Sequence, residues 1–242
     1  MKRPIKQYTE SLENRRVKFC FAGYLPCCLT LIVILFSCAA GPVPVESPSV
    51  GTIRYAAFPS QSPGGNVPER PTEVQVPEYI MGKGVASIED MSAFLLSINP
   101  GAEISFVEAL AFIYTEEAAV EGVNHDVAFA QMCLETGFLR FGGLVTPDMN
   151  NFCGLGAIGP GQNGERFPNP RTGVRAHVQH LKAYATDAPL NQELVDPRYR
   201  YVRLGSSPAI RGLSGTWAAD RDYAVKIKDI IDRLYTRSFR IS

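Results

Sequence analysis

Residues 130–143 read AQMCLETGFLRFGG, and one carboxylate, Glu135, interrupts a run of mostly apolar and small side chains. A charge beside apolar surface costs free energy unless it is paired, hydrated or neutralised by a proton. A glutamate that keeps its proton near neutral pH is a general acid. The other reactive side chains point nowhere as definite. His177 and His180 stand three apart and share one helix face, yet no third ligand is suitably spaced and no HExxH occurs, so neither a metal nor another cofactor is expected. Cys133 lies two residues before Glu135 inside a helical pattern, a position that suits packing better than nucleophilic chemistry. Gly154, Gly156, Gly159, Gly161 and Gly164 read as turn residues rather than a phosphate cradle.

The elements that must hold Glu135 are helices. SIEDMSAFLLSIN carries Ser87 and Asp90 at capping-box spacing and sets Met91, Phe94, Leu95 and Ile98 on one face. SFVEALAFIYTEEAAVEG repeats the spacing with Ser105 and Glu108, stripes Val107, Leu110, Ala111, Tyr114 and Ala118, and stops at Gly122. NHDVAFAQMCLETG opens on an Asn124/His125/Asp126 cap and closes at Gly137. TGVRAHVQHLKAYA aligns Val174, Val178, Leu181 and Tyr184, and DRDYAVKIKDIIDRLY aligns Tyr223, Ile227, Ile230, Ile231 and Leu234. No run alternates convincingly as a strand, so the class is mostly α. Glu135 falls in the last turn of its helix, where the macrodipole and the apolar neighbours both disfavour its charge.

Residues 1–38 combine a basic head (Lys2, Arg3, Lys6, Arg15, Arg16, Lys18) with the apolar stretch FCFAGYLPCCLTLIVILF, the pattern of an export signal. LFSC resembles a bacterial lipobox with Cys38 as the residue to be lipidated; an uncleaved signal anchor and simple secretion are the alternatives. The expected location is the cell envelope, exported and membrane-anchored. Residues 39–77 are rich in proline and poor in large apolar groups, hence a tether. At about 3 Å per residue it would reach on the order of 100 Å. Residues 78–242 suffice for one catalytic-sized core. Beyond the export segment only Cys133 and Cys153 remain, either paired in an oxidising compartment or separate buried thiols. From Thr136 onward there are 15 Lys/Arg against nine Asp/Glu, but they are scattered, and no nucleic acid partner is expected.

Four motifs occur in order: Gln131-x-x-x-Glu135-Thr136-Gly137; Asn150-Asn151-x-x-Gly154-Leu155-Gly156; the segment from Gly173 to Tyr184 containing AHVQHLKAY; and Trp217-Ala218-x-Asp220-x-x-Tyr223. Over roughly residues 105–236 the chain resembles the bacterial glucosaminidase family, peptidoglycan-cleaving relatives of autolysins and flagellar hydrolases with a lysozyme-like α fold. The resemblance implies a lysozyme-like α domain with a glycine-rich loop region beside the active site. It also implies peptidoglycan glycan strands as substrate and Glu135 as general acid. A second carboxylate is implied in the lobe after the Asn-Asn turn. Glu165 is the candidate, although the surrounding NGERFPNP lacks the family's Thr and Tyr, and Asp148 is a weaker one. Gln131, Phe138, Asn151, Phe152, Trp217 and Tyr223 are the expected substrate contacts, with aromatic faces available to sugars. The expected reaction is hydrolysis of the β-1,4 bond after N-acetylglucosamine. A lytic transglycosylase giving 1,6-anhydro products and a silent wall-binding lipoprotein remain the alternatives.

Overall fold

Each helix boundary has a local cause. The computed structural model describes residues 74–239, Pro160 excepted. The expected export segment, Cys38 and nearly all of the tether lie outside the described residues. Helix α1 (Ile88–Ile98) starts at Ser87, whose hydroxyl accepts from the Asp90 N–H while the Asp90 carboxylate returns the bond, as the sequence predicts. Helix α2 (Ile104–Glu121) starts differently from expectation. Its cap is Glu103, whose carboxylate accepts from the Ser105 and Phe106 N–H groups; a Ser105–Glu108 box does not form, because Ser105 already lies inside the helix. Helix α3 (His125–Thr136) is capped by Asn124 and ends at Gly137 in the left-handed conformation. Helix α4 (Pro170–Ala185) is capped by Asn169 with proline in its first turn, and α5 (Tyr223–Phe239) closes the domain.

The central helices are α2 and α3. Val127 to Cys133 of α3 are buried without interruption, which marks a helix enclosed on every side rather than one facing solvent. Helix α2 packs against α1, α3 and α4, and α3 packs against α5. The stripes read from the sequence form the shared core: Val107, Leu110 and Tyr114 from α2, Val174, Val178 and Leu181 from α4, Ile227, Ile231 and Leu234 from α5. Burying each such side chain contributes roughly 1.5–3 kcal/mol. An extended strap at residues 78–82 binds this core from outside: Ile80 N–H donates to the Pro208 carbonyl, and Asn124 N–H donates to the Ile80 carbonyl. Val74 and Val76 already pack on the core, so ordered packing begins slightly before residue 78.

Between α3 and α4 runs the glycine-rich segment. It includes a short antiparallel ribbon, β1 (Ala157–Gly159) with β2 (Gln162–Asn163), too short to show alternation in the sequence. The domain is otherwise α and loop, in keeping with a lysozyme-like α class. No helix among the described residues is long and apolar enough to cross a membrane.

Candidate active site

Glu135 owes its position to the way α3 stops. Gly137 takes φ 57° and donates its N–H to the Cys133 and Leu134 carbonyls. Thr136 locks the exit: its hydroxyl donates to the Met132 carbonyl and accepts from the Leu139 N–H at 2.9 Å. Phe138, Leu139 and Phe141 then also take positive φ, unusual for bulky residues and costing of order 1 kcal/mol each. The chain thus curls sharply away from the helix end and leaves Glu135 at the floor of an open cavity. That cavity holds about 260 Å³ and is lined by Glu135, Thr136, Phe141, Leu144, Asn151 and Gly154 among others.

The opposite wall is the Asn-Asn turn. Asn151 is buried, and its side chain organises the loop: Oδ1 accepts from the Leu155 N–H, and Nδ2 donates to the Leu155 and Glu165 carbonyls. The backbone of α4 presses directly on this turn at Gly173, where a Cβ would stand 1.8 Å from the Asn150 carbonyl oxygen. Gly154 presents bare backbone to the acid; a Cβ there would lie 3.6 Å from Glu135 Oε2.

The two carboxyl oxygens of Glu135 are not equivalent. Oε1 accepts from the Trp217 indole N–H at 3.1 Å and from the Tyr223 hydroxyl in a short contact. Oε2 faces Gly154 and the cavity. With the lone pairs of Oε1 taken by two donors, a proton on this carboxyl belongs on Oε2. The side chain is open to water at the cavity mouth, yet protein atoms crowd its other sides. That crowding raises the pKa above the ordinary carboxylate value, and the Tyr223 and Trp217 bonds, in that order, pull it back. Burial, and then the neighbouring Glu135, push the Tyr223 phenol well above its ordinary value, so it remains a donor.

The other expected site residues divide. Trp217 and Tyr223 touch Glu135. Trp217 is half-buried and stands edge-on to His180, with ring centroids 5.0 Å apart, and Tyr184 is beside it. Gln131 requires correction: it is fully buried, so its amide reaches Tyr223 and His177 rather than any sugar. Phe152 is fully buried in the core and Asn151 belongs to its own turn, so neither offers its side chain as a free sugar-binding surface. Phe138 packs edge-on against Phe94 beneath Arg233 and does not line the cavity; Phe141 does. Glu165 lies against Gly156, across Leu155 from Gly154, and does not line the Glu135 cavity. Asp148 is tied to Arg166 and to the Thr146 hydroxyl, and the bond from Thr146, then that from Arg166, lowers its pKa. Cys133 and Cys153 are free thiols, both buried, and burial raises both pKa values, so the pairing alternative is not the one found.

Sequence reasoning left His177 and His180 without a task. His177 is fully buried between Gln131 and Tyr114, and His180 is paired with buried Asp196 at 2.6 Å. Their spacing on one face of α4 was visible, but their partners on other elements were not. Among the described residues, no group of three or more His, Cys, Asp or Glu side chains is placed to hold a metal. A second concavity of about 220 Å³, with Trp217, Tyr184, His180 and Arg198 in its lining, adjoins the first at Gly154. Glu135 lines the first concavity and its hydrogen-bond partner Trp217 lines the second.

The chain is 42% identical over 163 residues to an uncharacterized protein of Borreliella burgdorferi, covering 66% of this chain and 80% of that protein. No solved structure matches. Residues 111–236 match the Glucosaminidase family, described as mannosyl-glycoprotein endo-beta-N-acetylglucosaminidase, a span that runs from α2 through Glu135, the Asn-Asn turn, α4 and Tyr223. The chain belongs to the Glucosaminidase family.

Proposed function

We propose that the protein is a peptidoglycan hydrolase that cleaves the β-1,4 bond following N-acetylglucosamine, with Glu135 as general acid. The observation that carries this is the asymmetry of the Glu135 carboxyl: two donors hold Oε1, and Oε2 is turned toward an open cleft. A glycan strand lying across Gly154 would bring a glycosidic oxygen to Oε2. The Oε2 proton passes to that oxygen, the C1–O bond breaks, and an oxocarbenium-like centre develops on the sugar. The carboxylate left behind is stabilised at Oε1 by the Tyr223 and Trp217 donors, which need no rearrangement to do so. Trp217 and Tyr184 offer aromatic surface along the cleft.

A second function must then stabilise C1 or activate water. Glu165 is the proposed carboxylate if a protein group does this. Its place outside the Glu135 cavity favours instead chemistry with one protein acid, either assistance by the substrate's N-acetyl group or lytic transglycosylation. Mass spectrometry of the products released from purified cell walls separates these outcomes. A reducing N-acetylglucosamine end supports the hydrolase, a 1,6-anhydro-muramic end supports the transglycosylase, and binding without products leaves only a silent wall-binding role. We further propose export and membrane attachment through Cys38 and the proline-rich tether, motivated by LFSC and residues 39–77. If Cys38→Ala leaves processing and membrane fractionation unchanged, a signal anchor replaces the lipid anchor.

A further inference from the structure

Behind the cavity, wholly buried side chains continue the hydrogen bonding of Glu135 into the core. Tyr223 Oη contacts Gln131 Nε2 at 2.8 Å, Gln131 Oε1 contacts His177 Nε2 at 2.9 Å, and His177 Nδ1 contacts Tyr114 Oη at 2.8 Å. The series joins α5, α3, α4 and α2 in turn. Gln131, His177 and Tyr114 are each fully buried, so none of them touches a substrate.

We propose that Gln131 and His177 are positioning residues, which fix the polarity of this chain so that the Tyr223 proton is directed to Glu135 Oε1 and the acid's own proton is kept on Oε2. With the Gln131 amide as the structure orients it, Nε2 toward Tyr223 and Oε1 toward His177, only one assignment of donors satisfies every bond. A neutral imidazole has one N–H. If it lies on Nε2, it donates to Gln131 Oε1, and Nδ1 accepts from the Tyr114 hydroxyl. The Gln131 amide is then oriented with its NH₂ toward Tyr223 Oη. Tyr223 receives that bond and has its single proton left for Glu135. With the amide reversed, Tyr223 would donate to Gln131 and accept from a proton on Glu135 Oε1, which would take that proton away from the cavity. Burial holds His177 neutral, its pKa pushed down to about 3 with His180 adding to the effect, so the imidazolium does not form to break the sequence. The inference rests on Glu135 being the acid.

Few other groups face this chain. Glu135 meets Tyr223 from α5, Trp217 from the loop before it, and the Cys153 thiol from the Asn-Asn turn. Tyr223 meets Gln131 and Cys153 besides Glu135. His177 meets Tyr114, Gln131, the Trp217 ring and, on its own helix, His180, which Asp196 holds. Cys133 lies near Tyr114. Burial raises the pKa of the tyrosines Tyr114 and Tyr223 and of both thiols.

The test is the pH dependence of kcat on solubilised glycan for Gln131→Met, His177→Phe, His177→Gln and Tyr223→Phe. Loss of the Tyr223 bond removes a donor that lowers the Glu135 pKa, so the alkaline limb should move up by roughly one pH unit. A misdirected acid should lower kcat about 10²-fold with KM little changed. Gln131→Met and His177→Phe should reproduce the limb shift of Tyr223→Phe, and adding either to Tyr223→Phe should shift the limb no further. His177→Gln keeps a donor toward Gln131 and should restore the parental limb. If Gln131→Met and His177→Phe lower thermal stability but leave the limb at the parental pH, the positioning role is overturned. For a variant too unstable to assay kinetically, infrared titration of the Glu135 carboxyl in Tyr114→Phe, which removes one oxygen, reads the same chain. A Glu135 pKa identical to the parent's there and in His177→Phe, with a shift in Tyr223→Phe, would confine the effect to Tyr223 and overturn the longer chain. Full activity of Glu135→Gln would instead sink the acid assignment itself, an outcome distinct from an unmoved limb in the buried variants.

Discussion

Gly173→Ala asks whether the cleft wall is set by backbone contact. A Cβ at 173 would stand 1.8 Å from the Asn150 carbonyl oxygen and 3.5 Å from the Phe152 ring. A carbon–oxygen contact settles at roughly 3.3 Å, so α4 and the turn must separate locally by roughly 1.5 Å. Neither side yields easily. Val174 and Val178 anchor α4 in the core, Phe152 is fully buried, and the Asn150 side chain is bonded to the Phe167 carbonyl. Overpacking typically costs about 1–3 kcal/mol, and an overlap with backbone this deep belongs at the upper end. For a domain of this size each kcal/mol lowers Tm by about 2–4 °C, giving a fall of roughly 6–12 °C. The same displacement is passed to Gly154, which faces Glu135 Oε2, and a 1 Å misplacement at a reacting centre costs about 10²-fold in rate. Calorimetry and release of soluble glycan from purified walls, the latter well below the variant's Tm, read the two effects. Gly137→Ala is the comparison: its Cβ would meet nothing within 4 Å, and only the left-handed φ of 57° opposes it, at about 1 kcal/mol. A Gly173→Ala protein with parental Tm would refute the packing argument. One that is destabilised yet fully active would refute the link from the turn to the acid.

Glu135→Gln should lower glycan release by about 10²–10⁴-fold without unfolding the protein, because the amide oxygen can still accept from Tyr223 and Trp217. Its stability effect has a defined sign: the folded pKa of Glu135 lies above the ordinary 4.5, so its contribution is complete below the unfolded value and is lost as pH rises through the folded one. The variant's Tm should therefore gain on the parent's as pH rises through that window, and a constant difference from pH 3 to 8 would contradict the raised pKa. Lys182→Met removes the cation paired at 2.8 Å with the enclosed Glu121 carboxylate and leaves it only the Asn191 and Gln192 N–H donors; a loss of about 3 kcal/mol in denaturant unfolding, the lower end for a broken buried pair, is expected. Cys133 and Cys153 should alkylate only after denaturation, and mass analysis should then count two free thiols; a two-proton mass deficit that disappears on reduction would mean they pair.

Periodicity made the helices legible because it reports what each chain segment buries. The stripes of α2, α4 and α5 and the caps at Ser87 and Asn124 needed only local rules. The α2 cap differs for an equally local reason: Ser105 and Glu108 have the right spacing, but Glu103 two residues earlier takes the Ser105 and Phe106 N–H groups and starts the helix ahead of Ser105. Glu135 stands out in the sequence because a carboxylate at an apolar helix end serves neither packing nor the helix dipole, and the structure places it in a cavity lining with a raised pKa. The roles of its neighbours were not legible, since they depend on which elements meet. Gln131 and His177 lie 46 residues apart and join only where α3 crosses α4; Tyr223 comes from a further helix packed on α3. The motifs set Gln131, the histidine helix and Tyr223 in one pattern with Glu135, but a polar residue near a carboxylate reads equally as a sugar contact or as a support. Burial separates the two. Tyr223 and Trp217 reach the carboxyl itself, whereas Gln131 and His177 are sealed behind it, where a polar group persists only if every hydrogen bond is satisfied. With the Gln131 amide oriented as it is, the donors of this buried chain run one way, and the last of them, Tyr223, is directed at Glu135 Oε1.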